Sequence, residues 1–208
     1  MTEYEKVIEM LKHLGITEYD DSYDAHEKLA KYDCNLAEQV SVSDGASKIC
    51  FVFKNKPFVV KWSTHGYKEA MEEVEIYNRA MAQDLAKFFP KTAFLVRVNG
   101  IDFVVQEKID KSVSECDRKD IQRFQRISKT ATDKIVCKIE HEFRRAGNGY
   151  HRSLDHDWAK MAIVLYGKHA CKALCEFVID NDINDLHGRN IGYKDGRPII
   201  LDFSGYHR

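Results

Sequence analysis

The chain has 208 residues and a formal net charge of −1 at pH 7, so it is long enough for one domain or two small lobes with a real core. The near-zero net charge gives no electrostatic reason to expect a nucleic-acid or membrane partner. No apolar run approaches the ~18 residues of a transmembrane helix, and the acidic N-terminus lacks the apolar stretch of a signal peptide. We therefore expect a cytoplasmic protein.

The cysteines predict free thiols rather than a disulfide framework. They are scattered along the chain without a C-x-x-C pair, so a structural zinc site is not expected. Two of them are four residues apart in a helical pattern, which places them on one face. The positions are Cys34, Cys50, Cys116, Cys137, Cys171 and Cys175.

The N-terminal segment, residues 1–38, is predicted to form helices that are accessory to the rest of the chain. An apolar stripe with a 3.6-residue period predicts a helix over residues 3–14, ended by Gly15. Ser22 is a good N-cap for a second helix that runs to about Tyr32. Two placements stay open, since these helices can pack behind a sheet or close a regulatory surface.

Strand patterns follow, and the first hairpin carries a turn of small residues. This turn lies between the apolar runs Val40–Val42 and Ile49–Phe53 and contains Gly45, Ala46 and Ser47. Small side chains let backbone N–H groups approach a phosphate. An ordinary hairpin turn explains the same residues equally well.

Lys61 stands at the end of the apolar strand Pro57–Trp62, where a buried ammonium group needs a partner. The next helix, predicted over Tyr67–Lys87, carries several acidic side chains, and we expect one of them to pair with Lys61. The alternative is that Lys61 extends its ammonium group to solvent at the strand end. The acidic residues are Glu69, Glu72, Glu73 and Glu75.

The dipeptide Asn99-Gly100 predicts a second hairpin between Phe94–Val98 and Ile101–Gln106. The second of these strands continues into the segment Glu107–Asp110. The polar residues 111–152 predict one or two further helices.

A long helix is predicted to begin at Ser153 or Asp155 and to end near Asp180. Its apolar stripe is interpreted as a packing face. The stripe consists of Trp158, Met161, Val164, Leu165, Cys171, Leu174, Cys175 and Val178.

The last predicted hairpin brings polar residues together. The dipeptide Asp195-Gly196 separates two short apolar runs, which is a strong hairpin signal, although a loop slightly longer than two residues leaves the turn type open. Folding places Asn190 near Asp202, with Asp185 just upstream. Oxygen ligands of this kind suit Mg²⁺ with substrate phosphates better than zinc or copper. The alternative is a polar surface hairpin.

These residues carry a family resemblance. The spacing Asp185-x4-Asn190, followed by Asp202-Phe203-Ser204, resembles the catalytic loop and metal-binding motif of the protein-kinase-like superfamily. The run Asp185-Leu186-His187 is similar to the version in aminoglycoside and choline phosphotransferases. The chain departs from the protein-kinase pattern where Ile183-Asn184 replaces His-Arg, and where Ser204 replaces a glycine.

The resemblance covers about Gln39 to Gly205 and implies an α+β, bilobal protein-kinase-like fold. Residues 39–107 would form a β-rich N-lobe and residues 108–208 a reduced helical C-lobe, with residues 1–38 as the accessory segment. Only six residues follow Asp202, so no activation segment is expected. The chain thereby resembles the minimal kinases of phages and of bacterial effectors, and an effector would act in a host cytosol.

The resemblance also implies roles toward ATP and Mg²⁺. Lys61 would hold the α- and β-phosphates. Glu73 would orient Lys61, with Glu72 as the substitute if the helix register slips by one residue. Asn190 and Asp202 would bind Mg²⁺.

The remaining implied roles concern the acceptor and the nucleotide. Asp185 would accept or orient the acceptor hydroxyl, and His187 would face the γ-phosphate. The implied nucleotide contacts are the turn residues Gly45, Ala46 and Ser47, the strand residue Val59, the gatekeeper Gln106, and the backbone of Glu107 and Ile109.

The function that the resemblance implies is ATP- and Mg²⁺-dependent phosphoryl transfer to an alcohol group. The preferred version is a minimal serine/threonine-type protein kinase with a protein substrate. Two alternatives stay open. One is a pseudokinase that binds nucleotide without turnover, and the other is a small-molecule phosphotransferase of the aminoglycoside or choline type.

Overall fold

The structure is a computed structural model and describes residues 2–45, 47–113, 116, 119, 156–183, 185–186 and 188–204. The chain divides into two units, the first made of Met1–Glu75 with Lys91–Lys108 and the second of Ile76–Pro90 with Ile109–Arg208. Antiparallel sheets and helices are both present, so the expected α+β class is confirmed. Most of the segment 111–152, with its expected helices and Cys137, lies outside the described residues.

The first unit is built on a five-stranded antiparallel sheet. Its strands are β1 (Val40–Asp44), β2 (Lys48–Phe53), β3 (Phe58–Ser63), β4 (Thr92–Val98) and β5 (Ile101–Glu107), in the spatial order β1-β2-β3-β5-β4. All five follow the apolar runs that predict them. The turn between β4 and β5 places Asn99 and Gly100 at φ angles of 53° and 83°, the positive values that an Asn-Gly hairpin requires.

Three helices precede the sheet, namely α1 (Glu3–Leu14), α2 (Ser22–Tyr32) and α3 (Cys34–Ala37). Helix α1 ends at Gly15, whose φ of 60° makes it the predicted left-handed cap. The N-cap of α2 is Asp21 rather than Ser22, because the Asp21 carboxylate accepts from the backbone N–H of Asp24. Ser22 instead donates its hydroxyl to Asp44 Oδ2 at 2.9 Å.

The N-terminal helices pack on one face of this sheet. Successive strand residues point to opposite faces, and those that face α1 and α2 join them in one apolar core. Of the two placements that the sequence leaves open, packing behind the sheet is the one observed. Burial of these side chains is the main source of stability for the unit. The core includes Leu11, Leu29, Phe51, Val60, Trp62 and Phe103.

Helix α4 (Glu69–Ala82) follows β3. Its first part belongs to the first unit, where Ala70 and Val74 pack against Val104 of β5. Val104 neighbours Phe103 in the strand and therefore lies on the sheet face opposite the N-terminal helices. The polar side chains on this second face form the candidate site described below.

The prediction that this helix spans Tyr67–Lys87 is wrong at its C-terminal end. Asp84 adopts a φ of 57°, which ends the helix and allows Leu85 N–H to donate to the Ala80 carbonyl at 2.8 Å. This six-residue closure is a Schellman motif, for which a left-handed residue is required. A short 3-10 turn, Ala86–Phe88, follows.

The second unit contains a long helix and a small antiparallel sheet. The helix is α5 (His156–Asp180), and the strands are β6 (Lys111–Ser112), β7 (Ile191–Lys194) and β8 (Arg197–Ile200), in that spatial order. Their apolar side chains form a second core with those of residues 76–90. This core includes Phe88, Phe89, Trp158, Leu174, Phe177, Ile191 and Phe203.

The predicted hairpin at Asp195-Gly196 is present, but its loop has only two residues. Lys194 pairs directly with Arg197, and the loop residues have φ angles of 50° and 74°. These values fit a type I′ turn. The expectation of a longer loop is wrong because strand pairing continues to the residues that flank the turn.

Helix α5 is interrupted at Gly167, which has φ 81° and ψ 160°. The prediction that the whole apolar stripe is a packing face is therefore wrong for two of its members. Val164 and Leu165, which precede the interruption, are exposed. The other members of the predicted stripe are buried as expected. Within the part of the chain that the structure describes, no helix is both long enough and apolar enough to cross a bilayer.

Candidate functional site

The expected ion pair between Lys61 and Glu73 is present in the first unit. Lys61 Nζ lies 3.3 Å from Glu73 Oε2, and the Glu73 side chain is 0% exposed. The pairing confirms the register at Glu73 rather than Glu72. The Lys61 side chain is only 14% exposed, so the alternative of an ammonium group that extends into solvent is wrong.

A second lysine, which the sequence analysis does not single out, binds the same carboxylate. Lys48 Nζ lies 2.9 Å from Glu73 Oε1, and its side chain is 11% exposed. One signal could have found it. Alternation along the strand puts Lys48 and Cys50 on one face of β2, and Cys50 pairs with Lys61 of β3.

Gln106 is the third side chain that binds Glu73. Its Nε2 donates to Glu73 Oε2 and to Thr92 Oγ1, both at 3.0 Å, and the side chain is buried. Burying a carboxylate is costly unless charges and hydrogen bonds compensate it. The amide of Gln106, which the resemblance assigns to a gatekeeper, thus helps to fix the position of the Glu73 carboxylate.

Cys50 lies on the same sheet face and is opposite Lys61 in the β2–β3 register. Burial raises the pKa of the Cys50 thiol to about 11, although the nearby Lys61 ammonium group acts in the opposite direction. The thiol is therefore protonated at neutral pH and is a poor nucleophile. We assign it no chemical role.

The small-residue turn between β1 and β2 is closed by its own backbone. Gly45 N–H donates to the Lys48 carbonyl at 2.8 Å, and the Ser47 carbonyl accepts from Thr64 N–H at 3.0 Å. The Gly45 amide is therefore already engaged within the turn. Ala46 lies outside the described residues.

The other predicted nucleotide contacts lie on and after two neighbouring strands. Val59 is buried, and its strand register places it beside Gln106 on the face that carries Lys61. The Glu107 N–H donates to the Lys91 carbonyl at 2.8 Å. Ile109 follows in the second unit, in a segment without regular structure.

In the second unit, Asn190 holds Asp185 by two hydrogen bonds. Asn190 Nδ2 donates to the Asp185 carbonyl oxygen at 2.9 Å and to Asp185 Oδ2 at 3.0 Å. Ile183 and Leu186, on either side of Asp185 in the sequence, are fully buried. These apolar anchors fix the backbone on both sides of Asp185, and the amide of Asn190 fixes its carboxylate.

Asp202 follows the hairpin, and the backbone brings it beside the Asn190 segment as predicted. Leu201 N–H donates to the Asn190 carbonyl at 2.8 Å. Phe203 is fully buried, and its ring centroid lies 4.9 Å from that of Phe89. The aromatic anchor fixes the backbone at Asp202, whose own side chain is partly exposed. His187 lies outside the described residues.

The donor atoms of Asn190 and Asp202 fit Mg²⁺. Asn190 uses its Nδ2 for Asp185, so its Oδ1 is the amide atom that would ligate a metal ion, and Asp202 would supply carboxylate oxygens. Mg²⁺ is typically held by one or two such groups while substrate phosphates and water complete its coordination. Among the described residues, no group of three or more His, Cys, Asp or Glu side chains is arranged to hold a metal ion.

Comparison with known proteins gives structural likenesses alone. No protein-family model matches the chain, and no curated protein matches it. The PK-1 kinase of Cydia pomonella granulovirus is similar over 86% of this chain and 56% of its own, at 13% identity and a TM-score of 0.38. The aminoglycoside phosphotransferase APH(2″)-IIa, in its complex with streptomycin and ATP, is similar over 84% and 70%, at 13% identity and a TM-score of 0.34.

The chain therefore spans a little over half the length, 56%, of the viral kinase that it matches. The side-chain geometry described above, rather than these likenesses, supports the function proposed below.

Proposed function

We propose that the protein is a phosphotransferase that uses ATP and Mg²⁺. The observation that carries the proposal is the buried Glu73 carboxylate that holds the ammonium group of Lys61 on a sheet face. Phosphoryl transfer is catalysed mainly by positioning and by compensation of phosphate charge. An ammonium group fixed in this way suits the α- and β-phosphates of a nucleotide.

The side chains of the second unit take the remaining roles. Asp185, held by Asn190 Nδ2, orients the acceptor hydroxyl and accepts its proton. Asn190 Oδ1 and the Asp202 carboxylate would hold Mg²⁺, which when bound would supply charge compensation at the phosphates. On the basis of the Asp-Leu-His motif, we propose that His187 faces the γ-phosphate.

We propose a serine or threonine hydroxyl of a protein as the acceptor, and the cytoplasm as the location. The five cysteines among the described residues are free thiols, which fits a reducing compartment. Each of these groups acts on ATP, on Mg²⁺ or on a hydroxyl group, and hydroxyl groups occur both in proteins and in small molecules. The class of the acceptor therefore needs a direct test.

The test is transfer of label from γ-labelled ATP in the presence of Mg²⁺. Wild type and the Asp202→Ala variant are incubated with a protein extract and, separately, with aminoglycosides, sugars and choline. The proposal predicts labelled protein with wild type and none above background with Asp202→Ala. Label in a small molecule instead would identify the acceptor as that class. Nucleotide binding without labelling of any acceptor would identify a pseudokinase.

A further inference from the structure

We propose that Lys48 is a second phosphate-binding lysine, which shares Glu73 with Lys61 and contacts the same nucleotide. This inference rests on the proposed function, because it assumes that the site takes a phosphate ester. It assigns to β2 a residue that the family resemblance does not use, since that resemblance places the phosphate lysine on β3.

The two lysines are neighbours on one sheet face. Lys48 pairs with Ser63 and Cys50 pairs with Lys61 in the antiparallel β2–β3 register. Lys48 and Lys61 are therefore diagonal neighbours, a relation in which long side chains reach one another's surroundings. Their ammonium groups converge on Glu73 from two strands, one on each carboxylate oxygen.

The charges of this trio favour an anion. Two ammonium groups and one carboxylate carry a formal charge of +1, and all three side chains are largely removed from solvent. Like charges at such a site repel each other more strongly than they would in water. A phosphate oxygen near the two lysines reduces this repulsion.

The hydrogen-bonding capacity of lysine allows both contacts at once. Each ammonium group has three N–H donors and no acceptor, so a lysine that donates to Glu73 can also donate to a phosphate oxygen. Lys48 is the nearer of the two lysines to the carboxylate, at 2.9 Å against 3.3 Å. Glu73 therefore holds the ammonium groups of both lysines.

A purely structural role is the competing explanation. In that case Lys48 would only help to bury Glu73, together with Lys61 and Gln106. The two explanations differ in the ligand whose affinity a substitution of Lys48 would change. A phosphate contact changes the affinity for Mg-ATP but not for adenosine, whereas a fold defect changes both.

The experiment is calorimetric titration of Mg-ATP and of adenosine into wild type, Lys48→Met, Lys48→Gln, Lys48→Arg and Lys61→Met. Lys54→Met is the matched control, because Lys54 lies on the β2–β3 hairpin and donates to the Glu38 carbonyl outside the site. Melting temperatures identify folded variants. If Lys48→Met does not fold, Lys48→Gln decides, because its amide can still donate to Glu73.

We expect Lys48→Met and Lys48→Gln to lower the affinity for Mg-ATP by about tenfold or more, as loss of a charged hydrogen bond does. The adenosine affinity should stay within about twofold, and Lys48→Arg should restore most of the Mg-ATP affinity by returning the positive charge. Lys54→Met should match wild type for both ligands.

Three results contradict the proposal in distinguishable ways. Wild-type Mg-ATP affinity in Lys48→Met and Lys48→Gln, with a loss in Lys61→Met, overturns the role of Lys48 and leaves the proposed function standing. Equal losses for Mg-ATP and adenosine show that Lys48 acts through the fold. Absence of Mg-ATP binding by wild type overturns the proposed function, and this inference with it.

Discussion

At the scale of single residues, Glu73 is the side chain on which the first unit's polar face depends. Its carboxylate is fully buried and accepts from Lys48, Lys61 and Gln106. Two ammonium groups and one amide thus compensate the burial of this carboxylate. The Glu73 carboxylate in turn fixes the positions of the side chains that donate to it. Pre-positioned cations of this kind are what a phosphate site requires.

The first prediction separates the two aspartates of the second unit. Asp202→Ala and Asp185→Ala should each lower the turnover number by about a hundredfold or more. Asp202→Ala should also weaken Mg-ATP binding by about tenfold or more, because the proposed metal ligand acts in the ground state as well as in the transition state. Asp185→Ala should leave Mg-ATP affinity within a few-fold.

The measurements are single-turnover phosphoryl transfer and calorimetric binding. Asp180→Ala is the control, since Asp180 is an exposed aspartate at the end of α5 and has no assigned role. Circular dichroism and melting temperature must match wild type. Transfer at the wild-type rate by folded Asp185→Ala would show that the catalytic-loop assignment is wrong.

The sequence could predict that Lys61 has an acidic partner, because a lysine at the end of an apolar strand is a local anomaly that requires one. The choice of Glu73 among the acidic residues of the helix came from the family resemblance. The sequence points to Lys48 only weakly, through the face of β2 that it shares with Cys50, because Lys48 follows a turn of small residues and looks like an ordinary polar strand end. It could not predict that Gln106 binds Glu73. That contact joins residues of α4 and β5 that are 33 positions apart and depends on how both elements pack.

At the scale of elements, the interruption of α5 predicts a change in stability of the opposite sign to the one that helix propensity alone would give. In a regular helix interior, Gly→Ala stabilises by about 1 kcal/mol. Gly167 has φ 81° and ψ 160°, a backbone region that is nearly restricted to glycine and costs other residues about 1–3 kcal/mol. We therefore expect Gly167→Ala to lower the free energy of unfolding by that amount.

Urea unfolding followed by circular dichroism measures this change. Lys172→Ala is the matched control, because Lys172 is exposed on α5 and its ion pair with Glu176 has a nitrogen–oxygen distance of 3.8 Å. Exposed pairs of this kind contribute little. A Gly167→Ala variant more stable than wild type would mean that α5 is continuous at this point.

The elements that the sequence predicts well are those whose signals are local. Asn99-Gly100 and Asp195-Gly196 both form their hairpins, because positive φ at two successive residues is a property of the turn itself. The end of α4 at Asp84 was not predictable in this way. Aspartate adopts positive φ only in some contexts, and here the six-residue closure that ends the helix selects it.

At the scale of the whole molecule, the proposed chemistry draws on both units. Lys61 and Glu73 belong to the first unit, and Asp185, Asn190 and Asp202 belong to the second. Each group of side chains has its own internal hydrogen bonds and its own apolar anchors. The central claim is therefore that the binding of Mg-ATP depends on Lys61 and on Asp202.

The measurement that tests this claim most directly is the melting temperature of wild type with a nonhydrolysable ATP analogue, with Mg²⁺ and with EDTA. A ligand at about a hundred times its Kd stabilises the folded state by about 2.7 kcal/mol, which for a chain of this length raises Tm by roughly 5–10 °C. We predict a rise of this order with millimolar analogue and Mg²⁺, a much smaller one in EDTA, and its loss in Lys61→Met and Asp202→Ala. No rise in wild type at millimolar analogue with Mg²⁺ would contradict the account.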